Sequence, residues 1–152
     1  IGSPGILKGK KGTIWEGGHR VCGIFNWPTK LPKNTTCDTT ILTMDLLPTF
    51  MNCAGADVTK KRLLDGINIL PALAGKELKR EPLFWRHGAN TAVRRGKWKL
   101  VEQKKTLYLY DLSTDLSESI NLTKEKPAKV TELKKLIAEW HKDVTPTTSS
   151  PK

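Results

Sequence analysis

No stretch of the 152 residues comes near the ~18 consecutive apolar residues that a membrane-crossing helix needs, so no span is expected. Residues 1–11 mix glycine, proline and lysine without an apolar core, so no secretory leader is read there. The chain opens without Met, inside a Gly/Lys-rich loop, and this reading expects missing sequence upstream. Cysteine is scarce. Cys22, Cys37 and Cys53 form no CxxC and have no His at zinc spacing, and an odd number excludes full internal pairing; the redox compartment stays open. Negative charge is also short, with 15 Asp and Glu against 26 Lys and Arg, a formal +11.

A balance this basic admits nucleic acid, anionic lipid or sulfated polysaccharide as a partner. The charges are scattered, however: Lys8, Lys10 and Lys11, then Lys60, Lys61 and Arg62, then Arg94, Arg95, Lys97 and Lys99, then the last helix. No RNP-like, zinc-finger or helix-turn-helix pattern accompanies them, so nucleic acid is not expected. Two readings stand, a solvated surface or attraction to an anionic substrate. The sequons Asn34-Thr35-Thr36 and Asn121-Leu122-Thr123 would matter only in a eukaryotic secretory setting.

At 38% hydrophobic and 27% charged, the composition is that of a soluble globular protein. Residues 1–20 read as a loop. Val21–Trp27 is a short apolar, aromatic and β-branched run that predicts a buried strand ended by Pro28. From Thr43 to Gly55 the pattern predicts a helix. Thr43 would cap it, Asp45 would suit its first turn, and Leu46, Leu47, Phe50, Met51 and Ala54 would form a buried stripe. Leu64-Asp65-Gly66 reads as a turn and Leu70–Gly75 as a short helical turn.

From Pro82 the texture changes to strands: Leu83–Trp85, Thr91–Arg94, a turn at Arg95-Gly96, Lys97–Val101 and Leu107–Leu112. Trp98 and Leu100 fall on one face, and Lys97, Lys99 and Val101 on the other. Pro127 starts an amphipathic helix with an inward stripe of Val130, Leu133, Leu136, Ile137 and Trp140. The residues alone describe the end of an α/β layer up to about Gly75, then a small antiparallel sheet with a closing helix, an α+β unit. The expected parts are 1–75, 76–142 and a fraying tail at 143–152. Trp85, Trp98, Tyr108 and Trp140 are read mostly as packing rather than stacking platforms, and His19 and His141 as surface residues.

The segment Gly9–Arg20 carries the most chemistry. Its glycines let backbone approach an anion closely, and Lys11 offers a compact charge for anion oxygens; it is neither a Walker loop nor GxGxxG. A flexible surface loop is the alternative from the residues alone. The run Lys11-Gly12-Thr13-x-x-Glu16-Gly17-Gly18-x-Arg20 resembles the second signature of the sulfatase family, of arylsulfatase type. Further segments resemble the same family in order: Ile24–Pro28, Met44–Thr49, Leu64–Leu73, Arg80–Trp85, Ala92–Leu100, and Leu109-Tyr110-Asp111-Leu112-x-x-Asp115.

That resemblance implies the end of an alkaline-phosphatase-like α/β/α sulfatase domain, followed by a small α+β subdomain of about four antiparallel strands plus a C-terminal helix. It implies hydrolysis of a sulfate ester, on a sulfated small molecule or polysaccharide, through a formylglycine and a divalent metal, usually calcium. By position Lys11 corresponds to the family lysine that contacts the sulfate and the leaving oxygen. His87 and Asn90, in a loop like one that reaches the pocket mouth in relatives, are candidate substrate contacts, although Arg86 stands where many relatives carry an acid. Glu16 and Arg20 are expected to pair and hold the loop. A secreted, periplasmic or lysosomal location is likewise a family implication.

None of the cysteines, and no serine, stands in (C/S)-x-P-x-R, and Cys22 occupies a place where the family commonly has Pro. The nucleophile and metal ligands are therefore expected outside this chain, and the chain alone is expected to lack turnover. A non-catalytic basic module for anionic polysaccharide is the alternative, and a phosphate-transferring relative a third. Without a covering sheet, residues 1–75 are expected to expose apolar surface and to aggregate or remain partly disordered.

Overall fold

A computed structural model describes residues 2–56 and 64–144. The chain divides into two compact units: residues up to Cys22 together with Arg80 onward, and Gly23–Lys79. This division differs from the expected 1–75 and 76–142, because the opening loop packs with the carboxy-terminal sheet.

In the first unit, α1 is a single turn, Glu16–His19. The strands are β1 (Leu83–His87), β2 (Asn90–Arg95), β3 (Trp98–Gln103) and β4 (Thr106–Asp111), and α4 spans Pro127–Val144. The sheet is antiparallel in the order β1-β2-β3-β4, with Trp85 opposite Ala92, Ala92 opposite Val101, and Val101 opposite Tyr108. Hairpin turns set this register. Gly88 and Gly96 lead two-residue turns with φ of 58° and 59°, where a side chain would be strained. At the third turn Lys104 and Lys105 take φ of 49° and 67° without being glycine.

Period-two alternation then sorts the side chains. Val93, Leu100 and Leu109 lie on the face covered by Leu133 and Ile137 of α4, with Phe84, Trp98, Leu122, Val130 and Leu136 around them. Ala92, Val101 and Tyr110 lie on the opposite face, which is covered by Ile14 and Trp15 of the opening loop together with Leu112. Both faces of the sheet are therefore dry. Trp85 and Tyr108 pack against the loop-side cluster, while Trp140 stacks on Phe84 with ring centroids 5.0 Å apart. The aromatic residues read as packing do pack.

The second unit departs from expectation in two places. Val21–Trp27, which spans the boundary between the units, forms no strand, and Ile24 is 93% exposed. A strand needs an adjacent strand for its backbone groups, and none lies beside this segment among the described residues. The predicted helix is present as a 3-10 turn, Thr43–Asp45, running into α2, Leu46–Cys53. It is rotated from the expected orientation, however. Leu47 and Phe50 are exposed, whereas Asp45, Pro48 and Thr49 are buried.

Hydrogen bonding explains the rotation. Asp45 accepts from the N–H groups of Leu42 at 2.7 Å and Ile67 at 3.0 Å, and Thr49 Oγ1 accepts from Ile69 N–H at 3.0 Å. Asp45, not Thr43, thus serves the helix start. A Cβ on Gly66 would overlap the Met44 carbonyl, so only glycine allows this approach. The short helix expected after it is α3, Leu70–Leu73. Lys60, Lys61 and Arg62 lie outside the described residues, as does the tail beyond Val144.

Candidate functional site

The loop bearing Lys11 is built by turns that glycine permits. Lys10 to Thr13 closes on itself: Thr13 N–H and Thr13 Oγ1 both donate to the Lys10 carbonyl, at 3.1 and 2.8 Å. Gly12, with φ of 85°, takes the left-handed position in that turn, which leaves Lys11 exposed at its corner. The chain then doubles back. Gly17 N–H donates to the Lys8 carbonyl at 2.8 Å, and a Cβ at Gly17 would stand only 2.6 Å from that oxygen. At Gly18 a Cβ would overlap the Thr13 carbonyl. The Gly-Gly pair is required by the close return of the backbone.

Beneath the turn lies a buried ionic cluster. Glu16 is 1% exposed and Lys99 is wholly buried. Lys99 Nζ donates to Glu16 Oε1 at 2.8 Å and stands 2.9 Å from Glu118 Oε1. Glu118, also fully buried, accepts the Glu16 backbone N–H through Oε2 at 2.7 Å. Around the rim, His19 Nε2 lies 3.2 Å from Glu16 Oε1, while Arg20 and Arg94 lie 3.5 and 3.8 Å from Glu16 Oε2. Burial alone would raise the Glu16 pKa. The hydrogen bond with His19 and the charge of Lys99 overcome burial and hold it at about 2. Burial lowers the Arg94 pKa, with the Glu16 charge opposing and the Arg20 charge assisting.

Lys8 makes a second anchor. Its Nζ donates to Tyr110 OH and to the Glu118 carbonyl, each at 3.1 Å, and sits 4.0 Å from the centre of the Trp15 ring. An ammonium over an indole face gains electrostatic attraction there. Burial, followed by the nearby Glu118 charge, raises the Tyr110 pKa, so its hydroxyl stays protonated and can share this bond.

The expected loop pair, Glu16 with Arg20, is thus brought together within a larger cluster. His87 and Asn90 are register partners flanking the β1–β2 turn. His87 is exposed, and Asn90 Oδ1 accepts the Lys104 N–H at 3.2 Å. No hydrogen bond or ion pair joins Lys11 to His87 or Asn90 among the described residues. His19 is not the free surface residue expected, since its ring stacks on Trp85 at 4.5 Å. His141 is half-buried, with Nε2 3.3 Å from Thr91 Oγ1.

Lys8, Lys99 and Glu118 were missed as site residues. The alternation did assign Lys99 to the correct face, but nothing local shows that a loop some eighty residues earlier covers that face.

The donor chemistry does not suit a divalent metal. Glu16 and Glu118 are already compensated by Lys99, Arg20 and Arg94, and no group of three or more His, Cys, Asp or Glu could hold an ion among the described residues. Cys22, Cys37 and Cys53 are free thiols. A cleft of about 490 Å³ lined by Arg95, Gly96, Trp98, Lys129, Glu132 and Leu133 lies on the α4 side of the sheet. Its cations Arg95 and Lys129 already pair with Glu132, and it lies away from the Lys11 loop.

The family model, the relatives and the solved structures that the chain matches place it in the sulfatase class, as the carboxy-terminal part of the alkaline-phosphatase-like fold, with its four-stranded sheet covered by a helix on one face and a glycine-lysine loop on the other. It superposes on the crystal structure of Ps i-CgsB with a TM-score of 0.85 and 30% identity, over 93% of this chain and 33% of that one. The crystal structure of Ps i-CgsB in complex with k-i-k-neocarrahexaose matches with a TM-score of 0.84 and 32% identity, over the same shares. Within the class, the chain belongs to the N-sulphoglucosamine sulphohydrolase, C-terminal family, whose model matches residues 9–144. It is 37% identical to human (Homo sapiens) steryl-sulfatase over 97 residues, which are 64% of this chain and 17% of that protein's length. Among the described residues no helix is long and apolar enough to cross a membrane.

Proposed function

We propose that the chain supplies Lys11 to a sulfatase active site, as the cation that meets the sulfate and the departing oxygen of a sulfate ester. The observation that carries this reading is the placement of Lys11 at the exposed corner of a loop whose base is locked into a buried ionic cluster. Hydrolysis breaks the bond from sulfur to the ester oxygen and leaves negative charge on that oxygen. An ammonium held against it stabilises the transition state more than the ground state, which raises turnover. A sulfated carbohydrate fits the carbohydrate bound in the Ps i-CgsB complex, and an aryl sulfate fits the resemblance to arylsulfatases.

The formylglycine and the calcium or other divalent ion belong to this proposal as contributions from residues outside the chain, and the chain alone has no turnover. His87 and Asn90 serve as contacts to the organic part of the substrate. A secreted, periplasmic or lysosomal setting is part of the same reading. The test joins this chain to a sulfatase amino-terminal portion carrying (C/S)-x-P-x-R and compares Lys11→Ala with the parent on aryl sulfate. Turnover falls by about a hundredfold to a thousandfold, as for loss of one preorganised donor. Undiminished cleavage removes the reading.

A second reading, a basic module for anionic polysaccharide, is favoured by the formal charge of +11. It requires heparin binding that survives physiological ionic strength, where exposed charges are screened beyond about 8 Å.

A further inference from the structure

The loop bearing Lys11 is held at both ends by one distant residue. Glu118 takes the Glu16 N–H on its carboxylate and the Lys8 ammonium on its backbone carbonyl, at 2.7 and 3.1 Å. These contacts bridge 102 and 110 positions of sequence. Lys99 closes the arrangement by contacting both Glu16 and Glu118. Between Lys8 and Glu16 the chain makes only the Lys10–Thr13 turn, so fixing both ends leaves its corner few conformations.

Glu118 is itself forced into place. Its φ of 53° is left-handed, a strained conformation for a residue that is not glycine. Such strain persists where the surroundings over-determine it. Here Asp115 supplies the constraint. Its carboxylate accepts the N–H of Ser119 and of Ile120, each at 2.8 Å, and its carbonyl accepts Glu118 N–H at 3.3 Å. The turn after β4 is therefore wound so that the Glu118 side chain points inward and its carbonyl meets Lys8.

We propose that Glu118 is the positioning residue of Lys11: it touches no substrate and acts by fixing both ends of the loop. The fixation stands on the geometry alone, and its consequence for catalysis rests on the reading of Lys11 given above.

Glu118→Gln keeps an acceptor of the same shape but removes the charge. In this chain the amides of Glu16, Gly17 and Gly18 then exchange with solvent about tenfold to a hundredfold faster, the range for hydrogen bonds to charged groups. The NMR order parameter at Lys11 and Gly12 falls below about 0.6 from about 0.85. Exchange at Val93, Leu100 and Leu109 stays as in the parent, and Lys11→Ala changes none of these amides. Lys8→Met loosens the same loop through its other end. Unchanged loop order in Glu118→Gln overturns the proposal, and so does uniform acceleration that includes Val93 and Leu100, since that reports general destabilisation. In the completed enzyme, Glu118→Gln lowers kcat with little change in KM, and the effect disappears in a Lys11→Ala background. A loosened loop with undiminished turnover would instead remove the catalytic reading of Lys11 and leave the fixation standing.

Discussion

Replacing Glu16 by Gln tests the buried cluster through its pH dependence. The Glu16 pKa is about 2 in the fold against an ordinary value of 4.5. A depressed carboxylate contributes stability above its unfolded pKa and loses it as pH falls toward the folded one. The difference of about 2.5 units, at about 1.4 kcal/mol each, is on the order of 3 kcal/mol at pH 7. This contribution disappears between roughly pH 4.5 and pH 2, where the unfolded chain takes up the proton first. Glu16→Gln removes it throughout. Urea unfolding of the parent and the variant, followed by tryptophan fluorescence, gives the difference at pH 7, 4 and 2.5. Trp15 and Trp98 lie in the clusters on the two sheet faces and report the unit directly. Groups remote from the cluster contribute equally to both proteins and cancel in the difference. The gap is expected to be about 3 kcal/mol at pH 7 and to shrink toward zero at pH 2.5. A gap that is the same at both pH values, or below about 1 kcal/mol at pH 7, refutes the claim that ionised Glu16 anchors the loop.

Gly18→Ala brings a Cβ into the Thr13 carbonyl and should open the Lys11 loop, seen as faster exchange at Gly17 with the strands still protected. Leu133→Ala, at a fully buried contact between α4 and the sheet, should cost about 2–5 kcal/mol by urea unfolding. Lys105→Gly relieves a left-handed lysine in the β3–β4 turn and should stabilise the chain by about 1 kcal/mol, read as a higher melting temperature. Leu47→Lys with Phe50→Glu on the exposed side of α2 should reduce self-association in sedimentation without lowering the melting temperature.

Legibility in the sequence followed the range of the interactions. The four strands, the turn at Gly96 and the helix from Pro127 rest on alternation, glycine conformation and a helical stripe, all of which act within a few residues. The glycine-lysine loop could be recognised from its pattern, and Glu16 and Arg20 were expected to pair and hold it, but the helical turn Glu16–His19 that brings them together was not read from the sequence. The second unit was harder to read. The place of α2 was clear from its pattern, but not which side faces inward. Asp45 and Thr49 hydrogen-bond the backbone of Ile67 and Ile69, and that demand outweighs the apolar stripe.

Local pattern alone determined the four strands, the closing helix and the two faces of the sheet, while the family of the loop came from its resemblance to a known signature. Tertiary structure decided what covers each face, and with it the state of every charge beneath the loop. Lys99 was assigned to a face by its place in the alternation, yet whether that face met water or Glu16 depended on a contact 83 positions away. A lysine in water and a lysine closed between two carboxylates are the same letter in the same pattern. They differ only in solvation and in distant partners, which no neighbouring residue encodes.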